Sequence, residues 1–532
     1  MSRLTLTLIT LSLALAVAGC DKTQLNAVPD AQPQSLPDSP TATAQESPAE
    51  EQNAQPLESP DSPTDTDKAS LADESQIADD TPANPANRKP FQFTITTDNT
   101  NSPVVIQFGE NPVYLEITKY GGLKEIKRAV VIRPNKSKID ALVEIDCESD
   151  GTYEFKGDTI KYECSYPQNS GMHRISVRGD ISAIELCGAR LGFYTCTTKE
   201  CTENRRNITE RLYNINPIIS VDDWGNIQWE SMQSFAHNCG NLEKIPKDAP
   251  DLSHVSNLSG MFSYAVKFNQ AIDHWDVSNV TDMSHMFSRA HAFNQPLEKW
   301  NVSNVTNMNH MFSDASAFNQ PLEKWNVSNV TNMNGMFWEA KAFNQPLEKW
   351  NVSNVTDMNH MFSDASAFNQ PLEKWNVSNV TNMESMFGGV EAFNQPLEMW
   401  NVSKVTNMSW MFVGATSFNQ PLENWDVSNV TNMEHMFYNT NSFNQPLEKW
   451  NVSNVKNMHS MFGRAEAFNQ PLNQWDVSGV NDMGEMFREA LSFNHYPSSW
   501  VVPKGKTNLM FYGSPLEEQA KQKPLKTRKV KK

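Results

Sequence analysis

The sequence predicts a repeat solenoid, each coil a short strand plus a short helix or 3₁₀ turn, preceded by a small all-β sandwich and a disordered N-terminal tether. Three observations predict it. Ten of the fourteen Trp recur every 25 residues from Trp275 to Trp500, and a fixed period of that size marks a repeat array whatever the chain length suggests. Residues 91–187 run in short β-branched segments separated by Gly, Asn, Asp and Pro. Residues 21–90 hold eleven Pro and no aromatic residue.

One cation, Arg3, precedes an apolar run from Leu4 to Val17 and the small residues Ala18 and Gly19, the layout of a secretory signal over 1–19. The run is shorter than the roughly 20 apolar residues that a retained span needs. Val17-Ala18-Gly19-Cys20 resembles a bacterial lipobox. The resemblance implies cleavage before Cys20 and acylation of its thiol and new amino terminus, so that the membrane is a partner through a lipid anchor; ordinary secretion with a chance Cys is the alternative. Residues 20–90 then form an acidic tether. Its fourteen acids, four bases and lack of aromatics leave too little apolar surface to offset the entropy of ordering, and an ideal chain of this length spans roughly 45–50 Å.

Residues 513–532 read as a basic disordered tail, with seven cations among the last twelve positions. A solvated, frayed end and an electrostatic contact with anionic lipid or polysaccharide are both open. The whole chain of 532 residues carries a formal charge of −18, which excludes nucleic acid as a partner, because phosphate binding needs a basic face.

In 91–187 the alternation of Phe91-Gln-Phe-Thr-Ile, Val104-Val-Ile-Gln-Phe, Ala129-Val-Val-Ile and Ile175-Ser-Val points to a β-sandwich. The run Asp146-Cys-Glu-Ser-Asp150-Gly151-Thr-Tyr153, followed by Tyr162-Glu-Cys-Ser-Tyr and Gly171-Met-His-Arg-Ile-Ser-Val, is similar to bacterial PKD-like domains. Asp146, Asp150 and Glu154 are oxygen donors, yet Asp-Gly is first a turn signal, and the ligand series of a dedicated calcium loop is incomplete. Beyond Cys20 the chain carries Cys147, Cys164, Cys187, Cys196, Cys201 and Cys239. Six thiols allow fifteen pairings. The reading adopted pairs Cys147 with Cys164 on neighbouring strands and uses the others to clip a junction at 188–217. Zinc competes, but no C-x-x-C spacing is present and an oxidising compartment favours bridges.

The repeat unit reads Phe293-Asn-Gln-Pro-Leu297-Glu-Lys-Trp300-Asn-Val302-Ser-Asn-Val305-Thr-Asn-Met308-Asn-His-Met311-Phe312-Ser-Asp-Ala315. Leu297, Trp300 and Val302 end in the alternation of a strand, whereas Val305, Met308, Met311 and Phe312 recur at three and four like a helical or 3₁₀ face. A single coil cannot bury enough surface to stand alone, so neighbours must share each apolar ring. The Trp, Met and Phe columns are therefore core.

Leu-x-x-Trp-x-Val, Ser-Asn-Val-Thr-Asn-Met-x-x-Met-Phe and Phe-Asn-Gln-Pro-Leu, copied over 218–512, resemble the 25-residue repeat of bacterial BspA-like leucine-rich-repeat surface proteins. The resemblance implies a leucine-rich-repeat-like coil and a role in adhesion to host matrix, host cells or other bacteria. If the strand lines a concave face, its outward side chains form ladders at about 4.8 Å. The candidate binding face is then Lys299, Lys324, Lys349 and Lys374 with Asn301, Asn326, Asn351 and Asn376, joined by Trp338, Trp410 and Tyr438 in slots that are polar in other units. Mixed charge in such columns also serves solubility and pairing between neighbours. Repeated His285, His310, His360 and His435 make a poor catalytic site, since a reacting centre needs different groups converging on one point. No nucleophile elbow, phosphate loop or zinc-helix motif is present. No enzyme, cofactor, metal or small-molecule substrate is expected. The expected partner is an extracellular protein or glycan met at the cell surface, with a periplasm-facing envelope scaffold as the alternative.

Overall fold

The computed structural model describes residues 89–97, 104–108, 128–134, 143–146, 155–157, 161–164, 171–179, 181–187 and 218–529. The signal, Cys20, the tether up to 88, Cys147, Cys196, Cys201 and the junction at 188–217 lie outside the described residues, as do the calcium candidates Asp150 and Glu154 and the side chains of Asp146 and Cys164.

Among the described residues nine strands lie between 91 and 224. β1 (Phe91–Thr97), β4 (Val143–Asp146), β5 (Phe155–Gly157), β7 (Gly171–Gly179) and β9 (Ile218–Trp224) form a sheet in the order β5-β4-β7-β1-β9. β2 (Val104–Phe108), β3 (Arg128–Pro134), β6 (Lys161–Cys164) and β8 (Ile181–Glu185) form a second, in the order β6-β2-β3-β8. Phe91, Phe93 and Ile95 of β1 are buried while Gln92 and Thr94 are partly exposed, the alternation a half-buried strand requires. The strand that ends at Cys164 pairs with β2, whereas β4 pairs with β5 and β7. The expected Cys147–Cys164 pair lies outside the described residues, since Cys147 and the Cys164 side chain are not among them. Among the described residues a disulfide joins Cys187 to Cys239 across 52 residues of sequence.

β9 begins at 218, where the coils were expected to start, and pairs on both edges. One of its edges pairs antiparallel with β1, through two register shifts that give β9 a three-residue burial rhythm, with Ile218, Val221 and Trp224 inside. Its other edge meets the first coil, where Val221 N–H donates to Lys244 C=O at 2.9 Å and Glu243 N–H to Ile219 C=O at 2.9 Å. The strand is shared between the sheet and the coils. Phe91 meets Trp229 and Phe235 edge to face at 6.1 Å, so the aromatic core is continuous across that strand.

From Leu258 onward successive 25-residue coils lie in register. Parallel one-residue bridges link Asn257 to Asp282, Asp282 to Asn307, and so on to Asp482. Along 307–314 alternate N–H groups reach the next coil: Met308 to Asn332, His310 to Asn334, Phe312 to Met336 and Asp314 to Trp338, at 2.6–3.1 Å. The intervening N–H groups close three-residue turns, Met311 to Met308, Ser313 to His310 and Ala315 to Phe312. His310 and Asp314 have φ of 52° and 54°, so the three-and-four spacing of Met308, Met311 and Phe312 comes from linked turns. A helix cannot contain such left-handed residues.

No strand forms at Leu297–Val302, where one was expected. Pro296 has no N–H to give a ladder, and Trp300 N–H closes a turn on Leu297 C=O at 3.1 Å. The indole supplies the link between coils instead: Trp325 Nε1 donates to Leu297 C=O at 2.9 Å, and the bond recurs at Trp350, Trp375 and Trp400. Asn-Gln has the same purpose. Asn294 Oδ1 accepts from Asn319 N–H at 3.0 Å and from Gln320 Nε2 at 2.9 Å. Inside, every Trp of the column is buried, and neighbouring rings such as Trp300 and Trp325 lie 6.5 Å apart and 5° from parallel. Phe312 and Phe318 stack at 4.1 Å, the offset geometry that aromatic quadrupoles favour.

The tail does not follow its sequence reading. Residues 517–522 form a helix, α1 (Glu517–Gln522), and β11 (Lys526–Arg528) pairs in parallel with β10 (Val501–Pro503). Leu516 is buried, Ala520 and Leu525 pack on the core, the Tyr496 hydroxyl donates to Lys523 C=O, and the Arg528 guanidinium donates to Val480 C=O. Composition pointed to a frayed end. Leu516 and Leu525 help to dock 513–529 on the last coil, covering apolar surface and the β10 edge.

Candidate functional site

The columns chosen from the sequence divide into two surfaces with different chemistry. On the first, each Lys reaches back to an acid of the preceding coil: Lys299 to Asp273 at 2.7 Å, Lys324 to Glu298 at 3.0 Å, Lys349 to Glu323 at 3.2 Å and Lys374 to Glu348 at 2.9 Å. The hydrogen bond from the Lys299 ammonium holds the Asp273 carboxyl below its ordinary range. Exposed pairs of this kind contribute little individually. Asn301, Asn326, Asn351 and Asn376 each accept the N–H of the Ser two residues on, at 3.2 Å, so the Asn column builds turns. These residues occupy a corner of the coil and not a strand face. Their polar groups are largely committed.

The second surface is the segment 309–316 and its equivalents. The buried positions Val302, Val305, Met308, Met311 and Phe312 carry the same residue in every coil from 276 to 487, while the slots between them change. The slot of His310 holds His285, Gly335, His360, Ser385, Trp410 and His435 in other coils, and that of Ser313 holds Trp338, Gly388, Val413 and Tyr438. Because the ladder bonds are made by backbone, these side chains are free to vary without breaking the stack.

Trp338, Trp410 and Tyr438 are half-buried there. The His310 ring lies where a Cβ at Gly335 would be, 2.3 Å from that point. It stacks on His285 at 4.9 Å and meets Trp338 at 5.7 Å, and His360 meets Trp338 from the other side at 5.9 Å. Trp410 lies flat on His435 at 4.1 Å, and His435 approaches Tyr438 at 5.3 Å. Glu339 and Asp364 form no ion pair among the described residues, and burial raises the carboxyl pKa of each, with Asp314 and Asp364 adding to the effect at Glu339.

Sequence reasoning missed the cationic end of this surface. Arg289 lies over Tyr264, 4.8 Å from the ring centroid, and donates to its hydroxyl at 2.6 Å, with Asp314 taking Arg289 at 3.7 Å and His291 at 3.3 Å. The signal was available, since Tyr264, Arg289 and Asp314 are one 25-residue column. Aromatic faces, imidazoles and acids in alternation can stack on and hydrogen-bond a ligand. Among the described residues no three His, Cys, Asp or Glu side chains gather closely enough to hold a metal ion, and no helix is long and apolar enough to cross a membrane.

Residues 230–348, 320–425 and 406–523 each match the family described as Mycoplasma protein of unknown function, DUF285. The chain belongs to the DUF285 family. The three matches together span 230–523, from the first coils to the C-terminal cap. No curated protein and no solved structure matches the chain.

The buried His310 and His360 are expected to make the DUF285 array acid-sensitive. Burial first, with neighbouring imidazoles adding at His310, lowers His310 and His360 from 6.5 to about 4. Between those values the unfolded chain binds more protons than the folded one. Stability is therefore complete above about pH 6.5 and drains as pH falls toward 4, by up to about 3 kcal/mol per ring. The raised carboxyls of Glu339 and Asp364 act with the opposite sign, adding stability that is present at low pH and lost as pH rises through their folded values. The double variant His310→Gln/His360→Gln should lose much less stability between pH 7 and 4.5 than the parent in urea titrations. Equal losses would remove the buried imidazoles as the cause.

Proposed function

We propose that this DUF285 protein is a lipid-anchored bacterial surface protein whose coils form a solenoid of the BspA-like leucine-rich kind, behind a PKD-like sandwich, and that it binds a protein or glycan partner in adhesion to host or neighbouring cells. One observation carries the reading. Coils that agree at their buried positions differ on the segment 309–316, where half-buried aromatics stand among polar groups, and extended arrays give broad binding surfaces. The lipobox-like Val17-Ala18-Gly19-Cys20 and the acidic tether support display away from a membrane. The Cys187–Cys239 bridge supports an oxidising compartment. No catalytic step, cofactor or small-molecule substrate enters this reading.

The binding surface is placed on the aromatic columns in preference to the Lys and Asn columns, whose groups are paired along the stack. Trp338→Ala/Trp410→Ala/Tyr438→Ala should weaken adhesion of whole cells at least about tenfold, as loss of aromatic anchors does elsewhere, while Lys324→Ala/Lys349→Ala/Lys374→Ala changes it little. The reverse ranking, or a strain lacking 268–500 that adheres like its parent to every surface tested, would overturn the reading. Asp21, directly after Cys20, favours a second reading, a periplasm-facing scaffold for envelope proteins. Protease shaving of intact cells separates the two, since only a displayed protein is cut.

A further inference from the structure

The last coil ends on an edge found nowhere else in the array. In the coil before it, alternate N–H groups donate forward: Met483 to Lys506, Glu485 to Asn508, Phe487 to Met510 and Glu489 to Tyr512, at 2.7–2.9 Å. The equivalent donors one coil on are Thr507, Leu509, Phe511 and Gly513. Gly513 N–H is taken by the Glu517 carboxylate at 2.8 Å. Among the described residues nothing accepts from the other three. The carbonyls of Thr507, Leu509 and Phe511 each already accept a bond, from Met510, Tyr512 and Ser514 within the coil, so the unmatched groups of this edge are donors. Leu509 and Gly513 keep the left-handed φ, 53° and 68°, of the corresponding residues in earlier coils.

Two more features gather here. Of the five large apolar side chains left exposed among the described residues, four belong to the last two coils: Leu491 at 57%, Val501, Leu509 at 43% and Tyr512 at 48%. Lys504 and Lys506 lead into the edge, and Lys504 is exposed with no acidic partner among the described residues.

We propose that this edge docks an acidic polypeptide segment of another protein, whose carbonyl and carboxylate oxygens take the Thr507, Leu509 and Phe511 N–H groups while its apolar side chains cover Leu509 and Tyr512. The chain's own Glu517 shows which chemistry the row accepts, since a carboxylate sits on the one donor that the fold itself fills. Edge pairing supplies affinity through main-chain bonds, and unpaired edges are otherwise a liability. A second copy does not fit. The opposite end of the stack is closed by β9, by Leu186 N–H donating to Phe235 C=O at 2.7 Å and by the Cys187–Cys239 bridge, and two such C-terminal edges would set donor against donor. An acidic polysaccharide has no apolar side chains for Leu509 and Tyr512.

Hydrogen exchange of the full chain, read at single amides, tests this with three probes: a short Glu-rich peptide containing Leu, the same peptide with Lys for Glu, and alginate. The acidic peptide should slow exchange at 507, 509 and 511 at least about tenfold and leave the amides of 232–238 unchanged. The basic peptide should slow none. Lys504→Glu and Leu509→Asn, both surface changes, should each remove most of the slowing while exchange in the coils stays as in the parent. No slowing by the acidic peptide, equal slowing by the basic one, slowing by alginate alone, or variants that bind like the parent would overturn the proposal.

Discussion

Trp350→Ala is expected to cost about 3–5 kcal/mol and to split unfolding of the array into two transitions. The indole of Trp350 lies between Trp325 at 6.5 Å and Trp375 at 6.4 Å, and its N–H reaches Leu322 C=O at 2.9 Å. Truncation removes one of the largest side chains in the core and leaves a cavity that the stacked rings on either side cannot fill, which sets the scale of the loss. It also removes one of the two hydrogen bonds that the Leu322 carbonyl accepts, the other coming from Trp325 N–H at 3.0 Å, a further loss of about 1 kcal/mol. Because each coil contacts only its neighbours, a weak interface in the middle uncouples the two halves. Trp350→Phe keeps the ring and loses the hydrogen bond, so its cost should be clearly smaller. Urea titrations followed by far-ultraviolet dichroism check both. A Trp350→Ala loss below about 1 kcal/mol would mean that the Trp column contributes little to holding the coils together.

Breaking the Cys187–Cys239 bridge should be nearly as damaging. It closes a loop of 52 residues between the end of β8 and the first coil, and the chain-entropy estimate for that length is about 4 kcal/mol. Both Cys are buried, so the double variant Cys187→Ala/Cys239→Ala loses the cross-link without exposing a thiol. The loss should appear first at the sheet and the first coils, because Leu186 N–H and β9 bind the same coil. Denaturation of the double variant, together with non-reducing peptide mapping of the parent, checks this. Recovery of Cys187 and Cys239 as free thiols, or a variant as stable as the parent, would show that the junction is held by packing alone.

How far the sequence could be read differs from one part of the coil to another. Phe293, Trp300, Val302, Met308, Met311 and Phe312 are recognisable as core because their type recurs at one period, and each is buried. Asn301 is legible as a turn residue from Ser303 two positions on. The place of the ladder is not. Backbone links between coils run through 307–314, where the left-handed slot is filled by His, Gly, Ser, Trp and Glu in different coils; side-chain type gives no signal of φ there, because bonds to the neighbouring coils impose it. The Lys and Glu columns looked like a free surface for the same reason: their pairing across 26 residues exists only once the coils are stacked.

What the chain determines alone is therefore its period, the members of each buried column and the acidic, aromatic-free character of its N-terminal stretch. Burial preference belongs to the side chain itself and survives copying. Tertiary structure decided which backbone edge links coil to coil, that β9 belongs to both the sheet and the first coil, and that 513–529 folds back as a cap. Each depends on which N–H and C=O groups remain unmatched after neighbours have packed, and that quantity is defined only between segments distant in sequence.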